Sequence, residues 1–371
     1  MNNDMLGIIM AGNSGLELGE LTKYRPVGAV PLAARYRLVD FILSNMVNSG
    51  VDRVGIPTQT HYRSLMDHLG SGAPWDLNRK RHGLVVLPPY VSNGGELIGD
   101  LDVLNGIVDY INASQRKYVL ITGGNILCKA DYNKMFEQHL ATGADITVMY
   151  HTMDDCSELK HHVGLKTNDD GRIVDLEVDP ARPFSNQISM GTYLMEREFL
   201  EYVISRCLSR AQHDLVKDVL LHELNSLKIY GFEYRGYVKH IQSITSYYQC
   251  NMDMLDPAVS AELFDEISNP VYTKVKDQVP TIYGETCSVK NSVVADGCII
   301  NGTVENSVIF RGVQVEEGAV IRNSVVMQNS LVQSGVTLDH AIIDKAVIIR
   351  KNKTLMGQEN YPVVVGKNAV V

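Results

Sequence analysis

Apolar residues follow two unlike rhythms along this chain. Up to about residue 255, short apolar runs alternate with longer stretches in which apolar side chains recur every three or four positions. The runs Leu6–Met10, Val54–Thr58, Tyr118–Thr122, Ile146–Tyr150 and Ile173–Leu176 predict strands, whereas Asp131–Thr142 and Asp214–Leu227 predict helices. Such alternation predicts an α/β domain with a mostly parallel sheet covered by helices and with ligand sites at the carboxyl ends of its strands. Between residues 256 and 280 the pattern loses its period and is punctuated by Pro257, Pro270 and Pro280, which places a linker there. From 281 to 371 the chain changes to short β-branched runs separated by Asp296-Gly297, Asn301-Gly302, Arg311-Gly312, Glu317-Gly318 and Ser334-Gly335. Every sixth residue from Val313 gives Ala319, Val325, Leu331, Thr337, Ile343 and Ile349, so six of seven positions are apolar. A period of six predicts a parallel β-helix, and Thr337 is the exception in the series.

At 371 residues the chain is long enough for two domains with real cores. Its 34 basic and 43 acidic residues give a net charge of −9, which argues against nucleic acid or an anionic membrane as the main partner. No stretch reaches the ~20 apolar residues of a membrane span, and MNNDMLG lacks the basic and apolar regions of a signal peptide, so a cytoplasmic location is expected. Six cysteines (128, 156, 207, 250, 287 and 298) form no CxxC pair and lie at no zinc-site spacing, which predicts free buried thiols.

The apolar run Leu6–Met10 is followed by Ala11-Gly12-Asn13-Ser14-Gly15, a turn whose bare backbone could approach a phosphate. More specific words come next: YRPVGAVPLAARYRLVDFILSNMVNSGV, then Thr58-Gln59, GAPWDLNR, VVLPPY, ADYNKM, SMGTY, HDLVKDV and SYYQCNMDML. In these words and their order the chain resembles the ADP-glucose pyrophosphorylases (glucose-1-phosphate adenylyltransferases). The resemblance implies a Rossmann-like nucleotidyltransferase domain over residues 1–255 and a C-terminal left-handed β-helix of hexapeptide repeats over 281–371.

Adenylyl transfer from ATP to glucose-1-phosphate needs magnesium and fixed cations to neutralise charge on the leaving pyrophosphate. The resemblance places those groups, and this chain lacks them. The two magnesium aspartates of the family fall at Gly124 and His240, the triphosphate arginine at Glu17 and the lysine of the RAKPAVP word at Val27. The lysine of the EKP word falls at Asp179, or at Val178 if the register shifts. A carboxylate in place of a cation near phosphate is unfavourable by about 4 kcal/mol at ~4 Å. Glycine offers no ligand, and neutral imidazole is a poor one for magnesium.

Other matching positions imply a residual pocket: Gly12, Gly15 and Gln59 on the nucleotide side, and Gly164, Glu177, Ser189, Met190 and Gly191 on the sugar-phosphate side. The glycines and Met190 also read as turn and packing residues. Arg35, in the RYR word, falls where the family's basic residues are associated with effector binding. The expectation is therefore a catalytically deficient, regulatory subunit of the GlgD type. It would bind no cofactor of its own and would modulate a magnesium-dependent catalytic subunit in a hetero-tetramer of glycogen biosynthesis.

Three alternatives stand beside it. Asp100 or Asp102 could supply relocated magnesium ligands to an active enzyme, His340 could be the base of a hexapeptide-repeat acyltransferase, or the chain could be a stand-alone sugar-nucleotide or effector sensor. Lys160-His161-His162 and Arg79-Lys80-Arg81-His82 read as solvated surface and loop.

Overall fold

The computed structural model describes every residue except 1–3, 13–15, 17, 60, 80–81, 89–97, 155–160 and 181. Its contacts fall into two compact units: Met1–Gly12, Ile42–Tyr62 and Leu69–Val238 form one, and Asn13–Phe41, Arg63–His68 and Lys239–Val371 form the other.

The first unit is built on a nine-stranded sheet. Its strands are β1 (Met5–Met10), β2 (Arg53–Pro57), β3 (Gly83–Leu87), β4 (Tyr118–Gly123), β5 (Ile146–Thr152), β6 (Val163–Thr167), β7 (Ile173–Val178), β8 (Gln187–Glu196) and β9 (Ile229–Glu233). The order β7-β6-β8-β4-β1-β2-β3 carries β5 on β8 and β9 on β5. β4, β1, β2 and β3 run parallel, as the apolar runs predict. β8 is antiparallel to β4, β5 and β6, and β7 to β6, so the flank of the sheet is mixed. Leu6, Ile8, Val119, Ile121, Ile146 and Val148 are buried on the sheet with Leu200, Val203 and Ile204 of the helix Arg197–Leu208. Each such side chain contributes roughly 1.5–3 kcal/mol of burial.

The helix expected at 131–142 forms as Tyr132–Thr142: Asp131 caps it by accepting from the Asn133 N–H, and left-handed Gly143 ends it. The helix expected over 214–227 is shorter. Regular winding runs only from Leu215 to Leu221, as a π-helix, before the chain turns. Its start is fixed by the Asp214 carboxylate, which accepts from Val216 and Lys217, and by Asp218, which accepts from His213 and Asp214.

In the second unit, residues 256–280 begin with the helix Pro257–Phe264, capped by Asp256 with proline in its first turn, and then run without regular structure. The β-helix begins at Ile282. Three parallel five-stranded sheets form its sides, the arrangement of the expected left-handed β-helix. Its coils are not three hexads long. Gln314 pairs with Leu331 and Leu331 with Ile348, a step of 17 residues, while Ile299 pairs with Gln314 after only 15. A strict period of six therefore drifts. Val313 and Ala319 point into the core, but by the next coil Val332, Val336 and Leu338 hold the inward places. Thr337 is thus an outward residue beside buried Leu338, not a polar break in the core.

The segment 13–41 is held within this unit by specific bonds. The buried Arg25 guanidinium pairs with buried Asp344 through Nη2 and Oδ2. Tyr247 donates to the Pro31 carbonyl at 2.7 Å, and the Ala33 N–H donates to Asn251 Oδ1 at 3.2 Å. Asp40 accepts from the Arg37 N–H at 3.0 Å and Thr273 Oγ1 at 2.6 Å and lies 2.5 Å from His68 Nε2. Cys128, Cys207, Cys250 and Cys298 are buried thiols outside any disulfide, Cys287 is half-buried, and Cys156 lies outside the described residues.

Candidate functional site

The parallel strands bring the nucleotide-side residues to one edge of the sheet. A Cβ built on Gly12, just past β1, would lie 3.2 Å from Gln59 Oε1, so the two residues expected together are adjacent. Gly15 and Glu17 lie outside the described residues. β8 reaches the same edge from the other direction: Thr192 sits opposite Thr122, with their hydroxyls 3.0 Å apart. Before it the pairing of β8 with β5 shifts register between Ser189 and Thr192, so Met190 and Gly191 form a bulge with Gly191 at φ +59°. Ser189 Oγ accepts from the Gly191 N–H at 3.2 Å and steadies that bulge. Next along, Gly164 faces Glu177 across the β6–β7 pairing. A Cβ on Gly164 would lie 3.1 Å from Glu177 Oε1, which accepts from the Phe184 N–H at 2.8 Å. The sugar-side residues therefore share one sheet edge with Gly12, Gln59 and Gly124.

Position 124 is closed. Gly124 is buried, and its N–H donates to the Met10 carbonyl at 2.9 Å. A Cβ there would lie 2.8 Å from Ala11 Cα and 3.1 Å from the Met10 oxygen, both backbone atoms of the neighbouring strand end. A side chain at this position would therefore press on that backbone. Val27 is completely buried in a short 3₁₀ turn, Val27–Ala29, where a lysine would carry its charge into the core. Asp179 is exposed at the end of β7 in the left-handed region, φ +49°, with His161 Nδ1 3.7 Å from its carboxylate. His240 belongs to the second unit and is buried.

Among the described residues no three His, Cys, Asp or Glu side chains converge as a metal-binding group. Glycine at 124 offers no oxygen ligand, and the imidazole of His240 is a poor one for magnesium.

The relocated-ligand alternative meets committed carboxylates. Asp102 Oδ2 accepts from the Ile98 and Gly99 N–H groups, and both its oxygens lie within 3.0 Å of His213 Nδ1. Asp100 accepts from the Leu215 N–H at 2.8 Å, and burial pushes its carboxyl up to about 6. Both tie the helix Asp100–Asn105 to the 213–215 segment. His340, the acyltransferase alternative, is a corner residue. It occupies the left-handed position that Asn291, Asn306 and Asn323 hold in earlier coils, and Nδ1 lies 2.7 Å from Asp339. Arg79 pairs with Asp76, while Lys160, Lys80 and Arg81 lie outside the described residues.

Arg35 opens onto something the sequence did not foretell. Within the second unit it lines a cavity of about 260 Å³ together with Arg37, Lys274, Lys276, Arg311, Lys345 and Lys367. Seven basic side chains converge on it in a chain whose net charge is −9. Some are engaged: Arg37 donates to Ser64 O at 2.7 Å, Lys274 to Asp67 O at 2.6 Å, and Arg311 pairs with Asp296 at 3.1 Å. Among the described residues, the side chains of Arg35, Lys276, Lys345 and Lys367 have no ion pair. Gln328 Oε1, also on the wall, is buried without a donor. Burial lowers Arg37 to about 10 and pulls Lys276 down too, with neighbouring cations adding to the effect on Lys276. An anion placed among these groups would favour their charged forms. These residues span positions 35 to 367, so no local motif joins them.

Comparison with known proteins agrees with the architecture. The Nucleotidyl transferase family matches residues 6–256, and the GlmU-like C-terminal hexapeptide family matches residues 278–361. The chain is 36% identical over 370 residues to a glycogen biosynthesis protein GlgD of Bacillus subtilis, covering 100% of this chain and 97% of that protein. It is 39% identical over 323 residues to a GlgD of Geobacillus stearothermophilus, covering 86% and 84%. With a glucose-1-phosphate adenylyltransferase of Clostridium novyi it shares 34% over 327 residues, covering 86% and 85%.

Proposed function

We propose that this chain, which belongs to the nucleotidyl transferase family among the glucose-1-phosphate adenylyltransferases and GlgD proteins of glycogen biosynthesis, is a catalytically deficient regulatory subunit. Its role is to modulate a catalytic partner that makes ADP-glucose and pyrophosphate from ATP and glucose-1-phosphate. The observation that carries the proposal is Gly124: the position of a magnesium carboxylate is filled by the backbone of Ala11 and Met10. Val27, buried where the family has a lysine, supports it independently.

The residues that match the family outside the chemistry serve the fold. Asn45 donates to the Cys128 carbonyl at 3.0 Å, and Ser49 Oγ accepts from the Tyr132 N–H at 2.8 Å. Packing and chemistry use different side chains, so a family member can lose the second and keep the first. In this reading the sheet edge from Gly12 to Gly191 keeps a residual pocket for nucleotide or sugar phosphate, and the cavity at Arg35 takes an anionic effector. The assembly is a cytoplasmic hetero-tetramer with the catalytic subunit, which supplies the magnesium site. Among the described residues no helix is long and apolar enough to cross a membrane.

Co-expression of a tagged copy with a glucose-1-phosphate adenylyltransferase from the same cell tests the proposal. Co-purification at a fixed ratio, with altered turnover or effector response of the partner, is expected. A partner that neither associates nor changes its kinetics would overturn it.

A further inference from the structure

The Arg35 cavity differs from an ordinary basic surface in where its counter-charges lie. Asp344, the carboxylate nearest Lys345 in sequence, is already used: Oδ2 pairs with Arg25, and Oδ1 accepts from the backbone N–H of Lys345 at 2.7 Å. Asp40 is held by His68, Thr273 and Arg37, and Asp296 pairs with Arg311. The Lys345 ammonium therefore has no carboxylate of its own. Arg25, Arg37 and Lys276 act on it as cations, opposed by Asp344 alone, while Arg35, His68, Lys274, Arg311 and Lys367 line the remaining walls.

We propose that Lys345 enters the anion complex by taking up a proton, so that this pocket captures an anion and a proton together and binds more tightly as the solution becomes more acidic. The proposal rests on reading the cavity as an anion site. Burial and the surrounding cations hold Lys345 down at about 6, so in the empty pocket near neutrality it is largely the neutral amine. An anion beside it favours the ammonium and raises that value. Between the free and bound values each complex gains a proton, and affinity falls by up to ~tenfold per unit rise in pH. The arginines stay charged throughout and add no pH dependence. His68 is also held low by burial, though Asp40 supports its charged form, and it would act in the same direction. Variants at Lys345 separate the two.

The test uses the full chain and inorganic sulfate, a dianion at every pH involved. Titration calorimetry at about pH 7.5, in two buffers of different ionisation enthalpy, reads the protons taken up per sulfate bound. The expected result is uptake approaching one proton, with affinity several-fold higher one pH unit lower. Lys345→Arg, which fixes a positive charge at this position, should bind sulfate with the Lys345 proton missing from the uptake, and Lys345→Met should bind weakly with the same loss, leaving only the share that His68 supplies. Sulfate binding without proton uptake in the parent chain, or uptake undiminished in both variants, would overturn the linkage and leave the anion site standing. No sulfate binding at any pH would overturn the anion site and the linkage with it.

Discussion

Gly124→Asp returns the carboxylate that adenylyl transfer uses, and it should damage the strand end without reviving a magnesium site. The added Cβ would sit 2.8 Å from Ala11 Cα and 3.1 Å from the Met10 oxygen, and both are backbone atoms that cannot swing aside. Overpacking of this kind costs about 1–3 kcal/mol, and Gly124→Ala isolates that part. The Asp variant would also bring a carboxylate beside the Met10 carbonyl oxygen, and a buried acceptor left unpaired adds roughly 1–3 kcal/mol. Gly123 supplies the control. A Cβ there meets only the tip of the Asn125 side chain, at 3.1 Å, so Gly123→Ala should cost under ~1 kcal/mol. Equilibrium urea denaturation orders the three variants, and pyrophosphate release with magnesium reads activity. A Gly124→Ala variant within about 0.5 kcal/mol of the parent would show that the strand end has room. A Gly124→Asp variant that is stable and turns over would refute the whole argument.

Arg25→Ala should lose about 3–5 kcal/mol on denaturation, because it strands the buried Asp344 carboxylate, and replacing both partners by apolar residues should lose less. Asp100 titrates at about 6 in the fold against an ordinary 3.8, so the folded state holds more protons between those values. Its contribution is therefore complete below 3.8 and is lost as pH rises through about 6, by up to roughly 3 kcal/mol; Asp100→Asn should flatten that slope in pH-dependent denaturation. Burial pushes the Cys128 thiol up to about 12, so mass spectrometry after mild alkylation of the native chain should find Cys128 unmodified.

Apolar runs and a period of three to four were enough to place β1, β2, β4, β5, β7 and the helix Tyr132–Thr142, because runs and capping are local, but not the parallel strands β3 and β9. The antiparallel course of the flank escaped them, since strand direction and the bulge at Met190 and Gly191 show only in the pairing. In the β-helix the six-residue step found the architecture and the inward places of Val313, Ala319, Ile343 and Ile349 but missed them at Leu331 and Thr337, because coils of 15 and 17 residues shift the inward position. The expectation that Gly124 and His240 replace ligands came from single letters set against the family's words. That position 124 lacks room depends on β1 and β4 meeting, and no spacing encodes it. The basic cavity was visible only as Arg35, because its lysines and Arg311 come from positions 274 to 367, more than two hundred residues away.

The account turns on one measurement: magnesium-dependent pyrophosphate release from ATP and glucose-1-phosphate, by this chain alone and with increasing amounts of it added to a fixed catalytic subunit. The account predicts silence from the chain alone and a saturable change in the partner's turnover or effector response. Turnover by the chain alone, at a rate that rises with its concentration, would contradict it.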